Sequence, residues 1–162
     1  MKGTVRVLST LLVLSASSAF GAPAADDAQL TQDLQIARSL TEASRQATVA
    51  ANLKLSEAEA SAFWPLYREY RTEVATQNDR LVDLIKKFAA EYETLTDDQA
   101  KELTRTYIDI DKKRLSLKEK YLKKFEKALP AAKVARAMQA EQKLDALQSF
   151  GIARTVPLVP AQ

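Results

Sequence analysis

Three pairs of carboxylates, Asp97/Asp98, Asp109/Asp111 and Glu57/Glu59, have the spacing that general acid–base chemistry or cation binding would need. Neighbouring carboxylates push each other's pKa apart, and several together can ligate a hard metal ion. The rest of the inventory argues against such chemistry. No histidine and no cysteine occur among the 162 residues. That removes Ser-His-Asp and Cys-His nucleophile systems and the usual zinc ligands. Three glycines are too few for a loop that cradles phosphate. Asp97 and Asp98 stand where a helix begins, and the helix dipole favours anions there. The pairs read as helix-start acids. The chain is not expected to be an enzyme, and neither a cofactor nor a metal is expected.

Binding is the chemistry left, and two groups of residues could carry it. The first is on the third helical segment. At 100° per residue, Arg105, Lys112, Lys113, Lys120, Lys123 and Lys127 share one arc, and the apolar residues share another. Arg114 and Lys118 fall inside the apolar arc, beside Tyr107, Tyr121 and Phe125. Such cations either snorkel at the edge of a helix pair, Arg114 pairing with Asp111, or line a mixed surface that meets another polypeptide. The second group is the aromatic stretch "AFWPLY", with Phe63, Trp64, Tyr67 and the nearby Tyr70. It reads either as core around Pro65 or as an exposed aromatic face.

Long helices must position these residues. Two short phrases announce helix starts. Ser56-Glu57-Ala58-Glu59 after Leu55, and Thr96-Asp97-Asp98-Gln99 after Leu95, are capping boxes in which hydroxyl and acid or amide close on each other's backbone N–H. Helical spacing predicts a first helix over about 28–51 and a second from Ser56 to about Tyr92. A third should run from Asp97 to about Ala128, and a fourth from about Ala131 to Phe150 with Gly151 as its C-terminal cap. Phe63, Tyr67, Tyr70, Val74, Gln77, Leu81, Leu84 and Phe88 form a heptad seam in the second helix, which Pro65 should kink. The tail from 152 to 162 reads as extended.

The N-terminus is set apart. "MKGTVR" is cationic, "VLSTLLVLSASSAF" is apolar, and Ala19-Phe20-Gly21 offers small residues at the −3 and −1 positions. Residues 1–21 read as a cleaved secretory signal peptide, and 22–27 as a flexible mature N-terminus. The apolar run is shorter than the roughly 20 residues a membrane-spanning helix needs. Cleavage after Gly21 lowers the net charge from +3 to +1. Residues 22–100 then carry a net −6 and residues 101–143 a net +7, so the basic block is the feature to explain. Nucleic acid is a poor partner for an exported chain.

This order of features resembles the Spy/CpxP family of periplasmic proteins, known for LTxxQ motifs. Leu95, Thr96 and Gln99 match the motif in full, and Leu55, Ser56 and Glu59 form a conservative variant. The resemblance spans about 30–150. It implies one all-α domain over 28–151, with four helices. Two long ones would form an antiparallel kinked hairpin that dimerises into a cradle, and the two motifs would lie close together at its turns. It implies a periplasmic, ATP-independent chaperone that holds unfolding envelope proteins. Its alternative is an envelope-stress regulatory module that binds a sensor-domain protein. Zinc-binding relatives use histidines, which are absent here. Client or partner contact is expected at Tyr107, Lys113, Arg114, Lys118, Lys120, Tyr121 and Phe125, and at Phe63, Trp64 and Tyr67. Export is checked by mass spectrometry of periplasmic material: a mature chain beginning near Ala22 is expected, and an intact Met1 would exclude it.

Overall fold

The structure, a computed structural model, describes residues 41–159. The leader, the mature N-terminus and the first residues of the first expected helix, 28–40, lie outside the described residues. Within them the chain forms four helices and no strand. Helix α1 covers residues 41–53 and α2 covers Glu57–Glu91. A 3-10 turn, Tyr92–Thr94, leads to α3, Asp97–Ala128, and then α4, Ala131–Thr155. All-α is the class that the scarcity of glycine and proline demands.

Both capping boxes form. The Ser56 amide donates to Glu59 Oε2 at 2.7 Å, and the Glu59 amide donates to Ser56 Oγ at 3.3 Å. The Thr96 amide donates to Gln99 Oε1 at 2.8 Å, and the Gln99 amide donates to Thr96 Oγ1 at 3.3 Å. The expectation that the two phrases lie close together is not met. They start α2 and α3, and α2 has 35 residues between them, about 50 Å of helix at ~1.5 Å per residue. The repeat is therefore a helix-start signal used at opposite ends of the hairpin. At the α1–α2 turn Lys54 takes a left-handed φ of 47°, a conformation that a side chain disfavours. Lys133 of α4 braces this turn, donating to the Lys54 carbonyl at 3.3 Å and to Glu59 Oε2 at 2.5 Å.

Helix α2 runs through Pro65 as one helix, as the sequence spacing has it, although Pro65 has no N–H to give the Ser61 carbonyl. One boundary differs from the sequence reading. Helix α4 runs through Gly151 to Thr155, so Gly151 is not its cap and the extended tail begins only at Val156. A glycine inside a helix costs about 1 kcal/mol against alanine. The turn beyond it is retained by the Val156 amide, which donates to the Ile152 carbonyl at 3.0 Å.

Helices α2 and α3 run antiparallel, and their facing aromatic rings build the core. Phe63 and Phe125 have centroids 5.0 Å apart, Tyr70 and Tyr121 5.4 Å, and Tyr70 and Phe125 6.0 Å. Val49 and Leu53 of α1, Leu129 of the α3–α4 turn, and Val134 and Ala137 of α4 complete this cluster. Trp64 is half-buried, edge-on to Phe63 at 5.1 Å and to Tyr67 at 5.5 Å. Farther along the hairpin Leu81, Leu103 and Ile110 are buried. Phe63→Ala is expected to cost about 3–5 kcal/mol through lost burial and a residual cavity. Thr96→Ala, which removes only a cap, is expected to cost about 1 kcal/mol. Denaturant unfolding followed by circular dichroism measures both, and equal effects would contradict this account of the core.

Candidate functional site

The residues singled out in the sequence divide into three environments. Phe63, Tyr67, Tyr121 and Phe125 are at most 2% exposed. They are core side chains, because α1 and α4 close over the aromatic face of the hairpin, and they offer a partner no surface. Trp64 packs on the same cluster. Lys120 is held across the hairpin. Its Nζ lies 2.7 and 2.8 Å from the Glu73 carboxylate oxygens and 5.1 Å from the Tyr121 ring centroid.

Arg114, Lys118 and Tyr107 line a groove of about 800 Å³ that the described residues of α2, α3 and α4 form together. Its walls are apolar, with Leu81, Ile85 and Phe88 from α2 and Leu103 and Leu115 from α3. Both cations are engaged inside the fold. Arg114 donates from Nη2 to Asn78 Oδ1 at 2.6 Å and stands 3.7 Å from Asp111, while its Nε is buried without a partner. Lys118 Nζ lies 2.9 Å from Asp145 Oδ2. Helical spacing placed the two cations among apolar residues, but it did not show that α2 and α4 supply their partners.

The exposed part of α3 starts at the edge of this groove, where Tyr107 and Leu115 stand, and continues round the helix to Ile108. Tyr107, Ile108 and Leu115 are 48%, 46% and 59% exposed. Arg105 and Lys112 stand beside Ile108, while Lys113 lies farther round the helix; all three are exposed and make no ion pair among the described residues. Arg105, Ile108, Asp109 and Lys112 outline a shallow depression there. Ile108 and Leu115 are not among the residues that the sequence singles out. Their signal was the spacing Ile108–Lys112–Leu115, which continues one helical face past the seam used against α2.

The most buried chemistry went unnoticed in the sequence. Glu141 of α4 is 2% exposed and accepts three hydrogen bonds: from Tyr67 Oη at 2.6 Å, Arg45 Nη1 at 3.0 Å and Arg71 Nη1 at 3.1 Å. Arg45 also donates to Asp145 at 2.9 Å, and Arg71 to both Glu42 oxygens at 2.6 and 2.9 Å. Burial pushes the Tyr67 hydroxyl well above its ordinary pKa, and the Glu141 charge adds to the shift. For Arg71 burial acts against the cation. The Glu42 hydrogen bonds and the Glu141 and Glu42 charges outweigh it, so the guanidinium is held above its ordinary value. Every charge in the cluster has an opposite partner, and Asp145 alone of its carboxylates also borders the α2–α3–α4 groove, so the cluster acts as a hydrogen-bonded network that joins three helices.

No group of three or more acidic, histidine or cysteine side chains suited to a metal ion occurs among the described residues. No helix among them is long and apolar enough to cross a membrane. Comparison with protein-family models, with curated proteins and with solved structures finds no match.

Three outer carboxyls have lowered pKa values. Glu59 is lowered by its hydrogen bond from Lys133, Glu73 by Lys120 and then Tyr121, and Asp109 by Arg80. A carboxyl whose pKa is lower when folded adds stability above its unfolded value, about 3.9 for Asp and 4.3 for Glu, and loses it as pH falls through the folded value. The melting temperature is expected to hold from pH 7 to about pH 5 and to fall below about pH 4. Glu73→Gln should flatten that fall. An equally steep fall in the variant would remove Glu73 from the cause.

Proposed function

We propose that the chain is a periplasmic, ATP-independent holding chaperone for unfolding envelope proteins, working through a mixed basic and apolar surface on α3. The observation that carries the reading is the exposed carbon of Tyr107, Ile108 and Leu115, flanked by Arg105 and Lys112, which make no ion pair among the described residues. Unpaired cations attract acidic stretches of a non-native chain over about a Debye length, ~10 Å at 0.1 M salt. Apolar carbon beside them then holds the side chains that a folded client would bury. Neither contact needs a defined sequence, and neither needs nucleotide. The secretory N-terminus supports the compartment, and the order of the two capping motifs supports the Spy/CpxP likeness.

A homodimer belongs to the same reading. Tyr107, Ile108 and Leu115 lie along one helix on a chain whose hairpin is long and thin, and a second copy would cover some of that carbon. The regulatory alternative, a module that binds a sensor domain, draws on the same patch but needs one defined partner.

The test uses the mature chain without ATP against an unrelated, thermally unfolding protein at near-stoichiometric ratio. Suppression of light scattering is expected, weakening as salt is raised. Arg105→Gln/Lys112→Gln removes two exposed cations that make no ion pair among the described residues, so helicity should be nearly unchanged while suppression falls several-fold and loses most of its salt dependence. Ile108→Ser/Leu115→Ser should also suppress less, and light scattering of that variant alone should report any lost dimer. Full suppression by both folded variants would sink the reading.

A further inference from the structure

Helix α1 is attached in an unusual way. Of its described residues 41–53, three are buried: Arg45, Val49 and Leu53, four residues apart on one stripe. One of the three anchors is a cation. Val49 and Leu53 belong to the aromatic cluster of α2 and α3. Arg45 reaches Glu141, Asp145 and Gln148 of α4 at 3.0, 2.9 and 3.3 Å. Glu42 joins Arg71 of α2.

The charges left behind are not orphaned if α1 departs. Glu141 keeps Arg71 at 3.1 Å and Tyr67 at 2.6 Å. Asp145 keeps Lys118 at 2.9 Å. Arg71 loses Glu42 but keeps Glu141. Arg45 and Glu42 both move into water, where they need no partner. Breaking a buried ion pair is costly because it strands a charge in an apolar interior, and here no charge is stranded. A second observation concerns Tyr70. Its hydroxyl is buried without a hydrogen-bond partner, in the electrostatic field of Arg45, Glu141 and Asp145. A buried hydroxyl lacking a partner is costly, and water reaching it removes the cost.

We propose that α1 is a releasable strap: it lifts from the α2–α3–α4 bundle as a unit, leaves that bundle's ion pairs intact, and uncovers the apolar cluster beneath Val49 and Leu53. The device is a sub-global opening, with α1 at the low-stability end and the hairpin at the high-stability end. It stands apart from the α3 patch, since none of its residues lies on that face.

Native-state hydrogen exchange on the full chain tests it. Amides of residues 45–53 are expected to exchange at least about tenfold faster than those of the α2 and α3 core turns, with a weaker dependence on denaturant. Arg45→Ala should speed α1 exchange by a further factor of about ten, leave α2 and α3 within about twofold, and raise the fluorescence of 1-anilinonaphthalene-8-sulfonate. If α1 in the unaltered chain exchanges together with α2 and α3, at one rate and with one denaturant dependence, the strap is excluded. If Arg45→Ala speeds exchange throughout the chain or unfolds it, the strap is equally excluded, because α1 would then belong to the bundle's single cooperative unit.

Discussion

A single carboxylate, Glu141, sets the arrangement of the bundle. It is buried on α4, and an isolated carboxylate there would be untenable. Tyr67 and Arg71 on α2, one turn apart, and Arg45 on α1 bring their donors to it. Any rotation of α2 that moved Tyr67 out of the core would also take a donor from Glu141. Any sliding of α4 would take Glu141 from both guanidinium groups and Asp145 from Arg45. The aromatic cluster supplies most of the burial, but rings repack with modest loss when registers shift. The charge network tolerates much less displacement, so it fixes which faces of three helices meet.

The hairpin has its own set of constraints. Arg80–Asp109, Lys87–Glu102, Glu73–Lys120 and Glu69–Lys124 link α2 to α3 along its length. Each exposed pair contributes only about 0–1 kcal/mol. Two of them join acids of α2, Glu69 and Glu73, to bases late in α3, and two join bases late in α2, Arg80 and Lys87, to acids earlier in α3, the order that antiparallel packing requires. The rings between them do the burying, and the pairs favour one alignment of two long helices whose apolar stripes alone would permit several.

Sequence made the helix starts legible because a capping box is a local event, complete within four residues. It made the class legible because helical periodicity survives any tertiary context. It misplaced the end of α4, since Gly151 looks like a cap only when Ile152 and Val156 are not seen to continue the helix. It read Tyr121 and Phe125 as surface because periodicity shows which residues share a face, never what covers that face. The Glu141 cluster had a signal that periodicity could have given. Val134, Ala137 and Glu141 share one stripe of α4, as Arg45, Val49 and Leu53 do on α1, and an acid and a base on two apolar stripes imply each other. Pairing them requires knowing that α1 and α4 are neighbours, which lies beyond local pattern.

The same reasoning changes the meaning of the basic block. In the sequence, a net +7 over residues 101–143 looks like a field waiting for an acidic partner. In the fold much of it is answered internally: Lys120 and Lys124 by Glu73 and Glu69, Lys118 by Asp145, Lys133 by Glu59. Within the hairpin α2 carries a net −2 and α3 a net +3, so its two sides face each other with opposite sign. The charge left over for recognition is small and local. It includes Arg105 and Lys112, and what distinguishes them from the other cations of α3 without an ion pair among the described residues is the exposed carbon of Ile108 and Leu115 beside them. Lys123 and Lys127 have no ion pair either among the described residues, but their neighbours Tyr121, Phe125 and Leu129 are turned into the core. Charge alone therefore does not locate the surface; the coincidence of unpaired charge with uncovered carbon does, and along α3 that coincidence falls near the middle, around Ile108, Lys112 and Leu115.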